Sequence, residues 1–504
     1  MSESLQKHTS VLIVGAGPTG LVLALWLKKR GINFRIIDKS EAPGTTSRAL
    51  AVQTRTLEFY RQMGISAQLI DAGITVREIV LCRRGEAVAR AQFGEPGKNL
   101  SFFPYILFCS QDVHEKLLCD HLLKMGVVVE RQTEIVQMTQ DNNLVKAVLN
   151  SPKGTETVTA DYLCGSDGAH SQVRHEIKTQ FPGGTYSQVF FVADVEATGK
   201  MVGGVQISVS MKDFCIVMPI KSQNSVRLTG IVPPESENKK TISFQDVEDS
   251  VKRNTGLKVS KVNWFSSYHV HHRVAENFRV GRAFLAGDAG HIHSPAGGQG
   301  MNTGIGDAVN LAWKLADVIQ GRLSKKLLDS YEPERMAFAK VLVQTTDTAF
   351  KVIASRSVIG SFFRTYVLPT FFALLTHFRF TLKFMFRTIS QIKIEYRQSF
   401  LSKGTVGNIS AGDRLPWIKT DSGDNYESLN LLDWQIHIYG RSSDAFKSEM
   451  KSLKLVLTEF VWHPTYEVHG FKENAVYLLR PDGYIGLAAA TQEAQEVKDY
   501  FNSI

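Results

Sequence analysis

Gly15, Gly17 and Gly20 form GAGPTG, and Asp38 stands 18 positions after the third glycine. Glycine at those positions permits a tight turn and lets backbone approach a pyrophosphate, while a helix N-terminus behind the turn presents free N–H groups and partial positive charge. An acid at the end of the next strand can accept hydrogen bonds from ribose hydroxyls. The flanking residues supply the required setting. Residues 11–15 (VLIVG) read as a buried parallel strand, an apolar helix runs to about Arg30, Gly31 ends it, and residues 34–38 (FRIID) form a second strand. This βαβ unit opens a Rossmann-like layer and predicts dinucleotide binding at Gly15, Gly17, Gly20, Asp38 and the adjoining Lys39. The motif does not say which dinucleotide, and the alternative is a plain βα turn.

Two later segments carry further chemistry: CGSDGAHSQVR at 164–174 and GRAFLAGDAGHIHSPAGGQGMNTGIGDAVNLAWKLA at 281–316. A carboxylate placed after a strand, such as Asp288 after AFLAG, suits the hydroxyls of a polyol; its alternative is a helix N-cap. Asp167 and Gly168 would, in isolation, be an Asp-Gly turn.

Taken in order, the three motifs, within residues 8 to 345, resemble the single-component flavoprotein aromatic hydroxylases, the group of para-hydroxybenzoate, phenol, rifampicin and polyketide hydroxylases. The resemblance implies non-covalent FAD, with its ADP half on the first motif and its ribityl chain at Asp288. Gly297, Gly298 and Gly300 would let backbone approach the isoalloxazine, and the amides of Met301 and Asn302 would face its pyrimidine edge, where a helix dipole stabilises negative charge. Arg48 and Gln111 match flavin-contacting positions, with an exposed salt bridge as the alternative for Arg48. Asp167 and Gly168 match a motif implicated in pyridine-nucleotide handling. Pro295 matches a proline at the flavin's reactive edge, while Ser294 departs from relatives that carry a second proline. Arg227 resembles an arginine that helps move the flavin, and a surface strand arginine is the alternative.

The same resemblance implies an α/β fold with four parts: a first part of a Rossmann-like FAD-binding domain (1–180), an inserted mainly β substrate domain (181–275), the second part of the FAD domain with a helical region (276–400), and a thioredoxin-like C-terminal domain (401–504). AGDRLP (411–416) and LLRPDGYIGL (478–487) carry the last likeness, and the tail has no cysteine, which excludes thiol–disulfide exchange there. The implied reaction is hydride transfer from NADH or NADPH to FAD, addition of O2 at flavin C4a, and transfer of OH from that hydroperoxide to an electron-rich aromatic substrate, phenolic or polyketide-like. The substrate-activating base is not assigned. Two rivals are a flavin halogenase, which normally carries a WxWxIP motif that is missing here, and a flavin-bound assembly protein without turnover that associates with a membrane or partner through its basic face and residues 366–375.

The local patterns predict a helix at 113–125, strands at 127–130, 145–149 and 161–167, a mainly β segment at 188–232, a helix from Gly304 to about Gln320, and a helical region to about Ser399. His269, His271 and His272 alternate as on a strand and read as structural rather than metal ligands; Trp264 and Trp313 read as core.

Composition bounds the class. The 504 residues are 43% hydrophobic and 21% charged, as in a folded globular protein. The net charge of +9 comes from scattered Lys and Arg, so nucleic-acid binding is not expected. Cys82, Cys109, Cys119, Cys164 and Cys215 make no CxxC pair, and the N-terminus lacks an apolar signal segment; cytoplasm and a monomer or homodimer are expected. The most membrane-like stretch, residues 366–375, is shorter than the ~20 apolar residues that span a bilayer and contains Pro369; it is expected to pack internally or at a dimer contact, peripheral membrane contact is not expected, and an interfacial role is the alternative.

Overall fold

The computed structural model describes residues 7–44, 49–83, 85–199, 203–221, 225–294, 296–354, 357–421 and 423–504. Strand Lys7–Val14 lies between Phe34–Ile37 and Gly154–Gly165, and Ala283–Leu285 lies beyond Gly154–Gly165; all three pairings are parallel. Val11, Leu12 and Ile13 are fully buried, as a continuous apolar run requires when both faces of a parallel strand are covered. Helices Pro18–Lys29 and Gly300–Ile319 pack on one another beside this sheet, the second starting four residues before the expected Gly304. Antiparallel strands Glu134–Gln140 and Val145–Ser151 extend the sheet. Residues 127–130 do not form the expected strand: only Glu130 pairs, in a single bridge to Ile37.

The second sheet has eight strands, with Lys258–Val274 and Gly183–Thr198 near one edge and Glu78–Arg83 and Glu86–Gln92 at the other. It therefore reaches outside the expected 181–275 segment. The hairpin at 78–92 joins through a parallel pairing of Glu78–Arg83 with Val205–Val209; the local patterns read above place no strand there. His271 Nδ1 lies 2.7 Å from Thr185 Oγ1 on the neighbouring strand, and the His272 ring packs on Tyr186.

The tail builds a four-stranded sheet in which Gln435–Tyr439 runs parallel to Val456–Phe460 and antiparallel to Val476–Leu479, which pairs with Ile485–Ala489. Its core continues into the first layer. Trp26, Trp313, Trp434, Leu478 and Tyr500 belong to one buried cluster, and Trp313 meets Trp434 edge to face at 5.4 Å. Beside them, Glu334 accepts from Arg480 Nη1 and Lys314 Nζ, both at 2.8 Å, and from Asn310 Nδ2 at 2.7 Å, with every member buried.

A helical segment at 358–389 lies over strand Glu86–Gln92. It is helical without interruption from Val358 to Thr376, so Pro369 does not break it; a π-turn at Phe363–Val367 precedes the proline, which sits in the first turn of Leu368–Thr376, where a missing N–H is tolerated. Only 22% of an 18-residue window within Val358–Thr376 is buried, so of the two expectations internal packing does not hold for most of its surface.

Candidate functional site

Parallel pairing brings the carboxyl ends of Lys7–Val14, Phe34–Ile37, Gly154–Gly165 and Ala283–Leu285 to one edge, and the chemistry-bearing motifs follow those ends. Ligands of open α/β sheets bind at that edge. The contacts there are close. Gly15 holds φ +102°, and a Cβ on it would lie 2.3 Å from the Ser166 carbonyl oxygen. Ser166 Oγ donates within reach of the Val14 and Gly15 carbonyl oxygens, at 3.1 and 3.0 Å. Thr19 sits where a Cβ on Gly304 would come within 2.4 Å of its hydroxyl, and one on Gly287 within 2.7 Å. The first glycine turn, the Ser166–Gly168 turn, the Gly287–Asp288 turn and the long helix are thus in mutual contact.

Asp38 closes the turn from the neighbouring strand. Its Oδ2 accepts from Ala16 N at 2.7 Å and its Oδ1 from Ser40 N at 2.8 Å; each oxygen retains a further lone pair. Lys39 beside it is exposed. Gln111 is half-buried at the start of helix Gln111–Lys124, where its Oε1 accepts from Ala49 N at 3.3 Å and its Nε2 donates to Glu115 at 2.7 Å. Burial raises the Glu115 carboxyl above its ordinary range, and the nearby Asp38 charge adds to the shift.

Asp167 is held by Ser171 Oγ at 2.5 Å and Val173 N at 3.1 Å, so its carboxylate caps helix Gln172–Glu176. Arg174 then ties this turn to the next motif, donating to the Ala169 and Ala289 carbonyl oxygens. Asp288 is exposed on the turn that follows Ala283–Leu285. Arg48 and Pro295 lie outside the described residues.

The loop from Gly297 to Gly300 is locked by two side chains that the sequence reading did not single out in this role. Gln53 Nε2 donates to the Gly297 carbonyl at 2.9 Å. Asn302 donates to the Gly298 and Ala51 carbonyls and accepts from Gln53 N and Thr56 Oγ1, all at 2.8–2.9 Å. Met301 is half-buried. Gly298 lies against Ala51, where an apolar cluster of Leu50, Ile106 and Phe108 meets Ile207, Ile216 and Met218 of the eight-stranded sheet.

Asp307 was also missed, although a lone acid on the apolar side of a long helix signals a buried partner. It accepts from His291 Nε2 at 2.7 Å, Gly287 N at 3.0 Å and Arg335 Nε at 2.6 Å. Burial alone would raise its carboxyl, but Arg335 and His291 hold it below the ordinary range. Arg227 is no surface arginine. It is 1% exposed, makes two 2.7 Å hydrogen bonds to Asp194, and its Nη1 lies 3.4 Å from the Ala49 carbonyl.

Three features fit a phosphate-linked flavin nucleotide. A Cβ on Gly17 would meet nothing within 4 Å, so the turn is open on that side. The Pro18–Lys29 and Gly300–Ile319 helices both lack a side-chain cap on their first amides. Ser294 Oγ and His293 Nε2 are buried without a hydrogen-bond partner among the described residues, and a Cβ on Gly300 would lie 3.5 Å from that His293 nitrogen. A cleft of about 310 Å3 lined by Gly183, His272, Arg273 and Lys340 shares no residue with these motifs.

Comparisons with known proteins point to the same cofactor. A family model described as FAD binding domain matches residues 8–346. The chain is 36% identical over 355 residues to 6-methylpretetramide 4-monooxygenase of Streptomyces rimosus, a match covering 69% of this chain and 63% of that protein. It is 30% identical to a flavin-dependent monooxygenase of Mycobacteroides abscessus, over 97% of this chain and 99% of the relative. The solved anhydrotetracycline hydroxylase OxyS of Streptomyces rimosus superposes with a TM-score of 0.80 at 27% identity, covering 98% and 99% of the two chains. These relatives favour oxygenation over the halogenase and non-catalytic alternatives. The chain belongs to the FAD-dependent aromatic monooxygenases, on a mixed α/β FAD-binding fold.

Proposed function

We propose that this monooxygenase hydroxylates an electron-rich, phenolic or polyketide-like small molecule using NADH or NADPH and O2. The observation that carries this reading is the convergence of Gly17, Asp38, Asp288 and the Gly297–Gly300 loop at one sheet edge, beside an apolar wall of the second sheet. FAD, when bound, supplies the two-electron redox and oxygen chemistry. Gly15, Gly17, Gly20 and the amides after them would hold its pyrophosphate, Asp38 and Lys39 its ribose side, and Asp288 its ribityl hydroxyls. Gly298, Gly300, Met301 and Asn302 would carry its ring, with Arg48, Gln111, Asp167 and Pro295 around it.

The chain's own part is orientation and exclusion of water. Gln53 and Asn302 fix the Gly297–Gly300 loop through the carbonyls of Gly297 and Gly298. Ile207, Ile216 and Met218 make that side of the sheet apolar, which suits an aromatic ring and keeps out the water that would divert reducing equivalents to peroxide. Arg227 lies on the strand paired with this wall, in register with Met218, and reaches the Ala49 carbonyl; we read it as coupling the sheet to the flavin's movement.

The parts of the chain take matching roles. Residues 1–180 and 276–400 form the FAD-binding domain, 181–275 with the added hairpin at 78–92 form the substrate domain, and 401–504 form a thioredoxin-like domain whose sheet and helix Asp444–Ser452 support the name. The enzyme is read as cytoplasmic and as a monomer or homodimer. A panel of phenolic and fused-ring aromatics, screened by NAD(P)H consumption with mass analysis of products, tests the proposal: substrate-stimulated oxidation and a product heavier by one oxygen are expected. Oxidation that no aromatic stimulates contradicts it.

A further inference from the structure

Residues 358–389 supply none of the side chains assigned above to the nucleotide site. Between Asp347 and Glu395 the sequence holds seven Lys and Arg and no Asp or Glu. Of the eight exposed phenylalanines among the described residues, six lie here: Phe362, Phe363, Phe371, Phe378, Phe380 and Phe384. Val358 and Ile359, 79% and 84% exposed, begin the same segment. So many large apolar side chains exposed in one segment are rare on a protein that meets only water.

The segment has an inner and an outer face. On the inner face Arg364, 1% exposed, donates to the Ser210 carbonyl at 3.1 and 3.0 Å, and buried Phe386 packs against Phe93 at 6.1 Å. These anchors hold the helices along the protein, so the segment is not poised to cross a bilayer. On the outer face of helix Arg379–Ile389, the exposed Arg379, Lys383 and Arg387 recur every fourth residue and form one row. Exposed Phe380 and Phe384 stand one position further on and form a second row beside it. A cationic row next to an aromatic row is the pattern of a helix that lies in a lipid headgroup layer.

We propose that the outer face of residues 358–389 docks the enzyme on an anionic lipid bilayer. Phe380 and Phe384 enter the headgroup–acyl boundary, and Arg379, Lys383 and Arg387 meet lipid phosphates. Charge selects this occupant over a second copy of the chain. Two copies joined through this face would set cationic rows against each other with no acid in the segment to neutralise them. The docking is independent of which aromatic the enzyme oxidises.

The test is sedimentation of the full-length, FAD-loaded protein with vesicles of phosphatidylcholine alone or mixed with phosphatidylglycerol, at low and high salt. Pelleting with the anionic vesicles, little with phosphatidylcholine alone, and release by salt are expected. Phe380→Ser with Phe384→Ser, and Lys383→Glu with Arg387→Glu, should each weaken binding about tenfold or more, while flavin content matches the parent and shows that the variants fold. Failure of the parent to bind anionic vesicles overturns the proposal, as does parent-level binding by both double variants. A lipid-free dimer that the Phe380/Phe384 variant converts to monomer also overturns it, and assigns the face to a second copy.

Discussion

Gly20 and Ser166 leave no space for a side chain between them: a Cβ on Gly20 would lie 2.6 Å from Ser166 Oγ and 1.9 Å from the Gly15 carbonyl oxygen. Gly17, in the same turn, faces open space and has extended backbone that any residue adopts. The two glycines should therefore fail differently. Gly20→Ala should lower stability by about 1–3 kcal/mol, as overpacking does. Gly17→Ala should stay within roughly 0.5 kcal/mol of the parent yet bind FAD more weakly. Denaturant titration of the apoprotein and fluorimetric FAD titration separate the effects. Unchanged FAD affinity in Gly17→Ala would show that nothing approaches that side of the turn.

Asp288→Ala tests the second half of the cofactor site. The carboxylate is exposed on a short turn, so folding should survive its loss. Removing hydrogen bonds to ribityl hydroxyls should cost about 1–3 kcal/mol of FAD binding, or roughly 5- to 150-fold in Kd. Equilibrium dialysis against FAD measures this, and parent-like affinity would leave Asp288 a capping residue only.

Arg227→Lys keeps the charge but loses the planar fork that meets both Asp194 oxygens. The Asp194 side chain is 24% exposed, so the loss should be about 2 kcal/mol, below the ~3–5 kcal/mol of fully buried pairs. NAD(P)H oxidation should slow while FAD content stays at the parent level. A parent-like rate in transient reduction kinetics would separate Arg227 from flavin movement.

Glu334 links the long helix to the tail and makes stability acid-sensitive. Burial alone would raise its carboxyl, but Arg480 and Lys314 hold it far below the ordinary glutamate range. A glutamate in the unfolded chain takes up a proton near pH 4.3 while the folded one does not. Its contribution is thus complete above that pH and is lost as pH falls below it. Glu334→Gln should lower stability at neutral pH by about 3–5 kcal/mol, because it leaves Lys314 and Arg480 buried without their counter-charge. It should also flatten the decline of Tm between about pH 5 and pH 3. A decline as steep as the parent's would assign the acid sensitivity to other carboxylates.

The parts of this molecule legible in the sequence are those whose partners are near in the chain. Gly15, Gly17, Gly20 and Asp38 fall within one βαβ unit, so local pattern sufficed to predict their shared turn, which the Ala16–Asp38 hydrogen bond closes. The hairpin at 78–92 is not among the strands expected from the sequence, and alternation does not name a partner over a hundred residues away. Residues 127–130 have strand-like composition and form only one bridge, because Glu130 meets Ile37 at the sheet's edge. Arg227 could not be placed as buried without Asp194, which faces it across a strand pair. The shared core of Trp313 and Trp434 was equally hidden, since each alone is an isolated tryptophan. Gln53 and Asn302 act through backbone carbonyls, and side-chain motifs do not record those.

The most direct test of FAD-dependent oxygenation is a turnover experiment under isotopically labelled O2 with a substrate found in the aromatic screen. The purified protein should be yellow, and each hydroxylated product molecule should carry one labelled oxygen. NAD(P)H consumed should equal product plus hydrogen peroxide. A colourless protein that cannot be reconstituted with FAD, or a product whose new oxygen comes from water, would contradict the account.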